Sequence, residues 1–145
     1  MTAEQPMPGP RPVIVGVDGS PNSLAALRRA AVQAAERGTA LEMIYAIPAD
    51  TDLSAVGAGY VMLDAAGRCV GATGLCLHTA KHVVACGEPA EVLASRSRGA
   101  QLLVIGGRFH SEEGNLLGGD VVPYCLAHAA CPVDICADQR TSVPA

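Results

Sequence analysis

The stretch "RPVIVGVDGSPNSLAALRRAAVQAAERGTALEMIYAIP", residues 11–48, decides the fold. It contains two short apolar runs, 11–18 and 40–48, which are rich in β-branched residues and bounded by Gly and Pro. Runs of this kind are typical of strands that are buried on both faces. A longer segment with helical spacing lies between them. A strand, a helix and a second strand in this order predict two parallel strands joined by a right-handed crossover.

The helix between these strands is predicted from one apolar stripe and from its two ends. Either Ser20 or Asn22 can cap its start, and Gly38 suits the left-handed residue that ends a helix. Residues three and four apart lie on the same side of a helix. The stripe consists of Leu24, Leu27, Ala31, Ala34 and Ala35.

The rest of the chain repeats the alternation of strands and helices. Further strands are predicted over 77–86, 100–106 and 131–136, and the run 100–106 is so apolar that we expect it near the centre of the sheet. A helix is predicted within 87–99, where Pro89 lies in the first turn and Gly99 follows the end. Another helix is predicted to begin at Asp120, with Pro123 in its first turn.

Residues 51–75 have helical spacing but carry several glycines. Gly57, Gly59 and Gly67 each weaken a helix interior by about 1 kcal/mol relative to Ala. We therefore expect a frayed or broken helix in this segment.

Five strands that alternate with four helices predict a three-layer α/β sandwich, doubly wound around a five-stranded parallel sheet. We expect a flexible lead over 1–11, one domain over 12–137 and a polar tail over 138–145.

Composition narrows the possible partners. The net charge of −4 argues against a nucleic-acid partner. No apolar run approaches the length of a membrane span, and the first residues lack the apolar segment of a signal peptide. We expect a cytoplasmic protein with no membrane contact. The six cysteines form no CxxC pair, so we expect free and mostly buried thiols.

Two glycine-rich segments are expected to meet at one edge of the sheet. In doubly wound sheets ligands bind beyond the carboxyl ends of the strands, where the strand order switches. The first segment is "GVDGS", 16–20, and the second is "GGRFHSEEGNLLGGDVV", 106–122. Asp18 would project from the tip of the first strand, where it could accept hydrogen bonds from a ribose or hold a metal-bound water.

Four pieces of the chain together resemble the universal stress protein family. They are "VIVGVDGSPNSLAALRRAA", "GEPAEVLA", "LLVIGGR" and "LLGGDVVPYCLAHAACPV". The resemblance runs from about Pro12 to Cys136. It implies an adenine nucleotide alpha hydrolase-like, Rossmann-like fold and a regulatory or protective role without catalytic residues. It also implies a homodimer formed through the last strand, "CPVDIC".

One branch of that family binds ATP through a spaced glycine motif, which this chain matches only in part. Gly106 matches the first glycine, Phe109 falls on the second, and Gly119 matches the third but is followed by Asp120 instead of Ser or Thr. The family also uses an aspartate at the end of strand 1, matched here by Asp18, and an apolar adenine contact at the end of strand 2, matched by Ala46. The cofactor-binding residues implied by the resemblance are Val17, Asp18, Ala46, Gly106, Gly107, Arg108, Gly119, Asp120 and Val121.

Phe109 and Asp120 are unfavourable for a triphosphate. Phe109 resists the positive φ that a glycine would adopt, and Asp120 would itself cap the N–H group of Val122. A carboxylate also repels a phosphate by roughly 1–4 kcal/mol at 4 Å. Pro123 removes one more donor. The leading hypothesis is therefore a degenerate, dimeric stress protein that does not hold ATP tightly and works through partner contacts. A nucleoside or a monophosphate stays compatible with Ala46 and Asp18.

Two alternatives remain open from the sequence. The first is an ATP or AMP binder. Gly107, Gly114 and Gly118 could let the loop bind phosphate in a shifted register, or Mg²⁺ could bridge Asp18 or Asp120 to the phosphates. Arg108 could then reach a phosphate, or it could pair with the nearby glutamates. The second alternative is a weak nucleotide hydrolase that uses Asp18 or His110 as a base.

The remaining histidines have simpler interpretations. His78 and His82 share a strand face with Cys76, which would allow a metal site, but two face-sharing histidines without a well-placed third ligand favour a solvated edge. His110 is interpreted as an exposed loop residue and His128 as part of a helix surface.

Overall fold

The computed structural model describes residues 10–72, 74, 80–107 and 121–137. The strands are β1 (Val13–Gly16), β2 (Leu41–Ile47), β3 (Lys81–Cys86), β4 (Leu102–Gly106) and β5 (Val133–Cys136). The helices are α1 (Pro21–Arg37), α2 (Leu53–Gly71), α3 (Pro89–Arg96) and α4 (Val121–His128), and a short 3₁₀ turn, Ser97–Gly99, follows α3. The predicted alternation of strands and helices is confirmed.

The strands form one parallel sheet in the order β3-β2-β1-β4-β5. One hydrophobic cluster packs α1 and α2 on one face, and a second cluster packs α3 and α4 on the other. The predicted three-layer, doubly wound fold is confirmed. β2 and β3 lie on one side of β1, and β4 and β5 lie on its other side. The order of strands therefore switches between β1 and β4, and this neighbouring pair forms the switch point. The central strand is β1, whereas β4 lies one position away and is still paired on both sides.

The ends of α1 follow the sequence signals, but its buried face differs from the predicted stripe. Ser20 is the N-cap, because its side chain accepts a hydrogen bond from the Ser23 N–H group, and Gly38 ends the helix at φ 65°. Ala35 is exposed, contrary to the prediction. The helix turns Ser23, Ala26 and Ala30 toward the sheet as well as Leu27, Ala31 and Ala34.

The prediction of a broken helix over 51–75 is wrong, because α2 runs without interruption for 19 residues. Asp52 caps its start by accepting a hydrogen bond from the Ala55 N–H group at 3.1 Å. Gly59 is buried, and a Cβ at this position would lie 3.1 Å from side-chain atoms of both Tyr45 and Val84. Close packing on the sheet therefore offsets the weak helix propensity of glycine.

Both outer strands begin later than predicted within the described residues. β5 begins at Val133, because Pro132 has no N–H group for the ladder. On the opposite edge β3 begins at Lys81. An ion pair of 2.8 Å between Arg29 Nε and Asp134 Oδ2 joins α1 to β5.

Candidate functional site

A cavity of about 270 Å³ opens at the carboxyl ends of β1 and β2, beside α3. Both strands leave the sheet here, so the main chain and the side chains beyond the last ladder bonds can face a ligand. Most of the wall is apolar, as in typical small-molecule sites. The lining residues are Gly16, Val17, Asp18, Ile44, Tyr45, Ala46, Pro89 and Leu93.

The contact between Gly16 and Leu93 shapes one wall of this cavity. A Cβ on Gly16 would lie 2.9 Å from the Leu93 Cδ1 atom. The absence of a side chain at Gly16 therefore allows Leu93, which is 2% exposed, to pack against β1. A glycine at this point of the strand lets α3 approach the sheet closely.

Asp18 is the charged side chain in the described part of the cavity wall, and only one of its carboxylate oxygens is engaged. Oδ1 accepts a hydrogen bond from the Ser20 N–H group at 2.9 Å. Oδ2 is buried and accepts no hydrogen bond from the described residues. A buried acceptor without a donor costs about 1–3 kcal/mol. A ligand that brings a hydroxyl or amino group to Oδ2 would remove this cost.

The predicted site residues fall into three groups. Val17, Asp18 and Ala46 line the cavity. Gly106 ends β4 beside β1, and the next residue, Gly107, has φ 148°. The Gly107 N–H group donates to the Cys136 carbonyl oxygen at 2.8 Å, so this donor is engaged within the protein.

Val121 begins α4, and its side chain lies in the hydrophobic cluster beneath α3 and α4. Arg108, Gly119 and Asp120 lie outside the described residues, as does Phe109. Tyr45, Pro89 and Leu93 also form part of the cavity wall, and the sequence patterns did not predict this. Pro89 could have been found, because it follows β3 at the same edge of the sheet as Asp18 and Ala46.

Of the histidines singled out from the sequence, His82 and His128 lie in the described part of the chain. His82 is half-buried on the edge strand β3, whereas His78, Cys76 and His110 lie outside the described residues. Within the described part of the chain, no three His, Cys, Asp or Glu side chains are grouped for a metal ion. His128 is exposed on α4 as predicted, with its ring 4.3 Å from that of Tyr124.

The cysteines are less buried than expected. Cys69 and Cys86 are exposed, Cys131 is half-buried, and Cys125 and Cys136 are buried; all five are free thiols. Cys69 lies on the outer side of α2, and Cys86 ends the edge strand β3, which explains their exposure. Burial raises the pKa of Cys125 to about 11.

The five-stranded parallel sheet and the order of its elements agree with the resemblance noted from the sequence. The family model described as "Universal stress protein family" matches residues 10–136. This chain belongs to the universal stress protein family. No helix among the described residues of this family member is both long enough and apolar enough to cross a membrane.

Solved universal stress proteins share the fold. One in complex with cAMP is 26% identical, with a TM-score of 0.69 over 87% of this chain and 95% of its own. The protein from Archaeoglobus fulgidus in complex with dAMP is 22% identical, with a TM-score of 0.64 over 87% and 97%. A family protein from Arabidopsis thaliana with AMP bound is 18% identical, with a TM-score of 0.64 over 94% and 97%. No curated protein matches this chain.

Proposed function

We propose that this universal stress protein binds the nucleoside part of an adenine nucleotide in the strand-end cavity and holds ATP weakly. Its ligand would be a nucleoside or a nucleoside monophosphate, and its role would be regulatory or protective. The observation that carries the proposal is the Oδ2 atom of Asp18, which is buried and accepts no hydrogen bond from the described residues, in a mostly apolar cavity. The protein that shares 26% identity with this chain was solved in complex with cAMP, which supports an adenine ligand.

The cavity suits a base and a sugar. Ile44, Ala46, Pro89 and Leu93 provide apolar surface for a flat ring. The Asp18 carboxylate can accept hydrogen bonds from ribose hydroxyls. The volume of about 270 Å³ lies near the lower end of ligand pockets, which span roughly 300–1,000 Å³. This volume suits the nucleoside part of a ligand.

The phosphate side is the degenerate part of the proposed site. Anion cradles depend on free main-chain N–H groups. The Gly107 N–H group already donates to Cys136, and the sequence places Phe109 and Asp120 where the family motif has a glycine and a hydroxyl. Each feature opposes a triphosphate more strongly than a monophosphate or a neutral nucleoside.

Calorimetric titration tests this order of affinity. Adenosine, AMP, cAMP and ATP, with and without Mg²⁺, are titrated into the wild type and into a double variant with Phe109→Gly and Asp120→Ser. We expect adenosine or AMP to bind the wild type more tightly than ATP, and the double variant to gain ATP affinity. If ATP is already the tightest ligand of the wild type, the degenerate-site proposal is wrong. If no adenine compound binds, the nucleotide proposal is wrong.

Asp18→Ala tests the carboxylate directly. Hydrogen bonds to a charged group contribute about 1.5–3 kcal/mol, so we expect adenosine affinity to fall about 10- to 100-fold. Asp64→Ala removes an exposed carboxylate on α2 and is the matched control. Equal affinities of the two variants would exclude Asp18 from the site.

We also propose that the protein acts as a homodimer without catalysis. β5 is an edge strand of the described sheet, and alternate residues direct their N–H groups away from β4, where a second copy could pair with them. The N–H groups of Leu103 and Gly107 donate to the carbonyl oxygens of Pro132 and Cys136. Because alternate residues of a parallel strand face the same neighbour, the N–H groups of Val133 and Ile135 are directed away from β4. In the described wall of the cavity, Asp18 and Tyr45 are the side chains capable of proton transfer, which provides little for hydrolysis.

Sedimentation measures the dimer, and product analysis measures turnover. We expect a dimer at tens of micromolar that Ile135→Pro weakens, because proline removes the outward N–H group. Ile135→Ala removes the side chain but keeps that group, and is the matched control. A stable wild-type monomer would contradict the dimer. Nucleotide hydrolysis that depends on Asp18 would contradict a role without catalysis.

A further inference from the structure

A buried hydroxyl in α1 holds the main chain of Asp18, and we propose that Ser23 is a positioning residue for ligand recognition by Asp18. This inference rests on the proposed function. Ser23 is 0% exposed and does not line the cavity, so its hydroxyl does not face a ligand directly and would act on one through Asp18.

Two hydrogen bonds join Asp18 to the start of α1, and a third connects their partners, Ser20 and Ser23. The Asp18 N–H group donates to Ser23 Oγ at 3.2 Å, and that hydroxyl donates to the Ser20 carbonyl oxygen at 3.0 Å. The Ser20 N–H group donates to Asp18 Oδ1 at 2.9 Å. Asp18 is therefore held at both its main chain and its side chain.

This arrangement determines which atom is left for a ligand. With Oδ1 engaged by Ser20, rotation of the carboxylate would break a hydrogen bond, so Oδ2 keeps one position. A fixed acceptor favours ligands that place donors at that point, as the 2′- and 3′-hydroxyls of a ribose do. Loss of the Ser23 hydroxyl would release the Asp18 main chain, and only ligands that depend on Oδ2 would bind less well.

Ser97 is a matched control elsewhere in the fold. It is also 0% exposed. Its hydroxyl donates to the Ala94 carbonyl oxygen, three residues earlier, at 2.6 Å and accepts from the Ala130 N–H group at 2.8 Å. Ser23 likewise donates to a carbonyl three residues earlier and accepts from one main-chain N–H group. Replacing either serine by alanine removes the same kinds of bond, but Ser97 does not contact Asp18 or line the cavity.

The test compares adenosine with 2′,3′-dideoxyadenosine in the wild type, Ser23→Ala and Ser97→Ala by calorimetry, at a temperature where circular dichroism shows all three folded. We expect Ser23→Ala to lose adenosine affinity by about tenfold, the scale of one hydrogen bond to a charged group, and to keep its affinity for the dideoxy compound. Ser97→Ala should keep the wild-type ratio of the two affinities. A general loss of stability would not change this ratio.

The outcomes separate the two proposals. An unchanged ratio in Ser23→Ala, or an equal fall in Ser97→Ala, overturns the positioning role while the nucleoside site stands. Failure of the wild type to bind either compound overturns the proposed function and this inference with it. If Ser23→Ala does not fold, Ser23→Cys keeps a heavy atom at the γ position but has only a weak acceptor, and it should show the same selective loss.

Discussion

Gly106, at the end of β4, lies directly against the main chain of Asn22 in the first turn of α1. A Cβ on Gly106 would lie 2.4 Å from both the carbonyl carbon and the carbonyl oxygen of Asn22. Main-chain atoms cannot move aside as the end of a flexible side chain can. The contact therefore connects the end of β4 to the helix that holds Asp18.

Gly106→Ala is expected to lower the free energy of unfolding by about 2–3 kcal/mol, the upper part of the range for overpacking. The reason is that α1 or β4 must shift to admit the methyl group. Urea unfolding followed by circular dichroism measures the change. Wild-type stability in this variant would show that α1 does not lie against β4 at this point.

Gly57→Ala is expected to have the opposite effect. Gly57 lies within α2, and a Cβ there would meet no atom within 4 Å. Alanine is favoured over glycine in a helix interior by about 1 kcal/mol, so the variant should be more stable by about that amount. The same unfolding experiment measures it. A loss of stability would show that α2 is interrupted near this residue.

The Asp52 cap of α2 is expected to respond to acid. Hydrogen bonds from the Ser54 hydroxyl and the Ala55 N–H group lower the pKa of Asp52 in the folded protein. Its contribution to stability is therefore present above the unfolded pKa, about 3.9, and lost as the pH falls through the lower folded value. An asparagine side chain caps a helix without titrating, so the difference in stability between the wild type and Asp52→Asn should change only below about pH 4. A difference that is constant down to pH 2 would contradict this.

The cysteines should differ in their rates of alkylation at pH 8. Cys69 and Cys86 are exposed and should react first with iodoacetamide, as followed by peptide mass spectrometry. Cys125 is buried with a pKa near 11, so it holds almost no thiolate at this pH and should react only after unfolding. Rapid native labelling of Cys125 would show that α4 opens readily. Labelling in urea provides the control for intrinsic reactivity.

Much of the fold could be predicted from local signals. The β-branched runs at β1 and β4 and the helical stripe of α1 identified the elements without tertiary information. Gly38 and Pro89 marked helix ends because their backbone preferences act locally. The parallel sheet followed from the alternation of elements, since each crossover must be right-handed.

The candidate site was predictable at the ends of strands. Asp18 follows β1 and Ala46 lies near the end of β2, and the carboxyl ends of parallel strands share one edge of the sheet. Leu93 could not be found in this way. It reaches the cavity only because Gly16, far away in sequence, leaves room for α3.

The sequence by itself determined the order of strands and helices, their parallel arrangement and the edge of the sheet where Asp18 lies. These features depend on side-chain periodicity and on the conformational limits of Gly and Pro, which act over a few residues. Only the tertiary structure decided that α2 is continuous, that Ser20 caps α1, and that Ser23 holds Asp18. The continuity of α2 depends on its packing against β2 and β3, and the two serine contacts depend on which nearby donors and acceptors the folded backbone brings together.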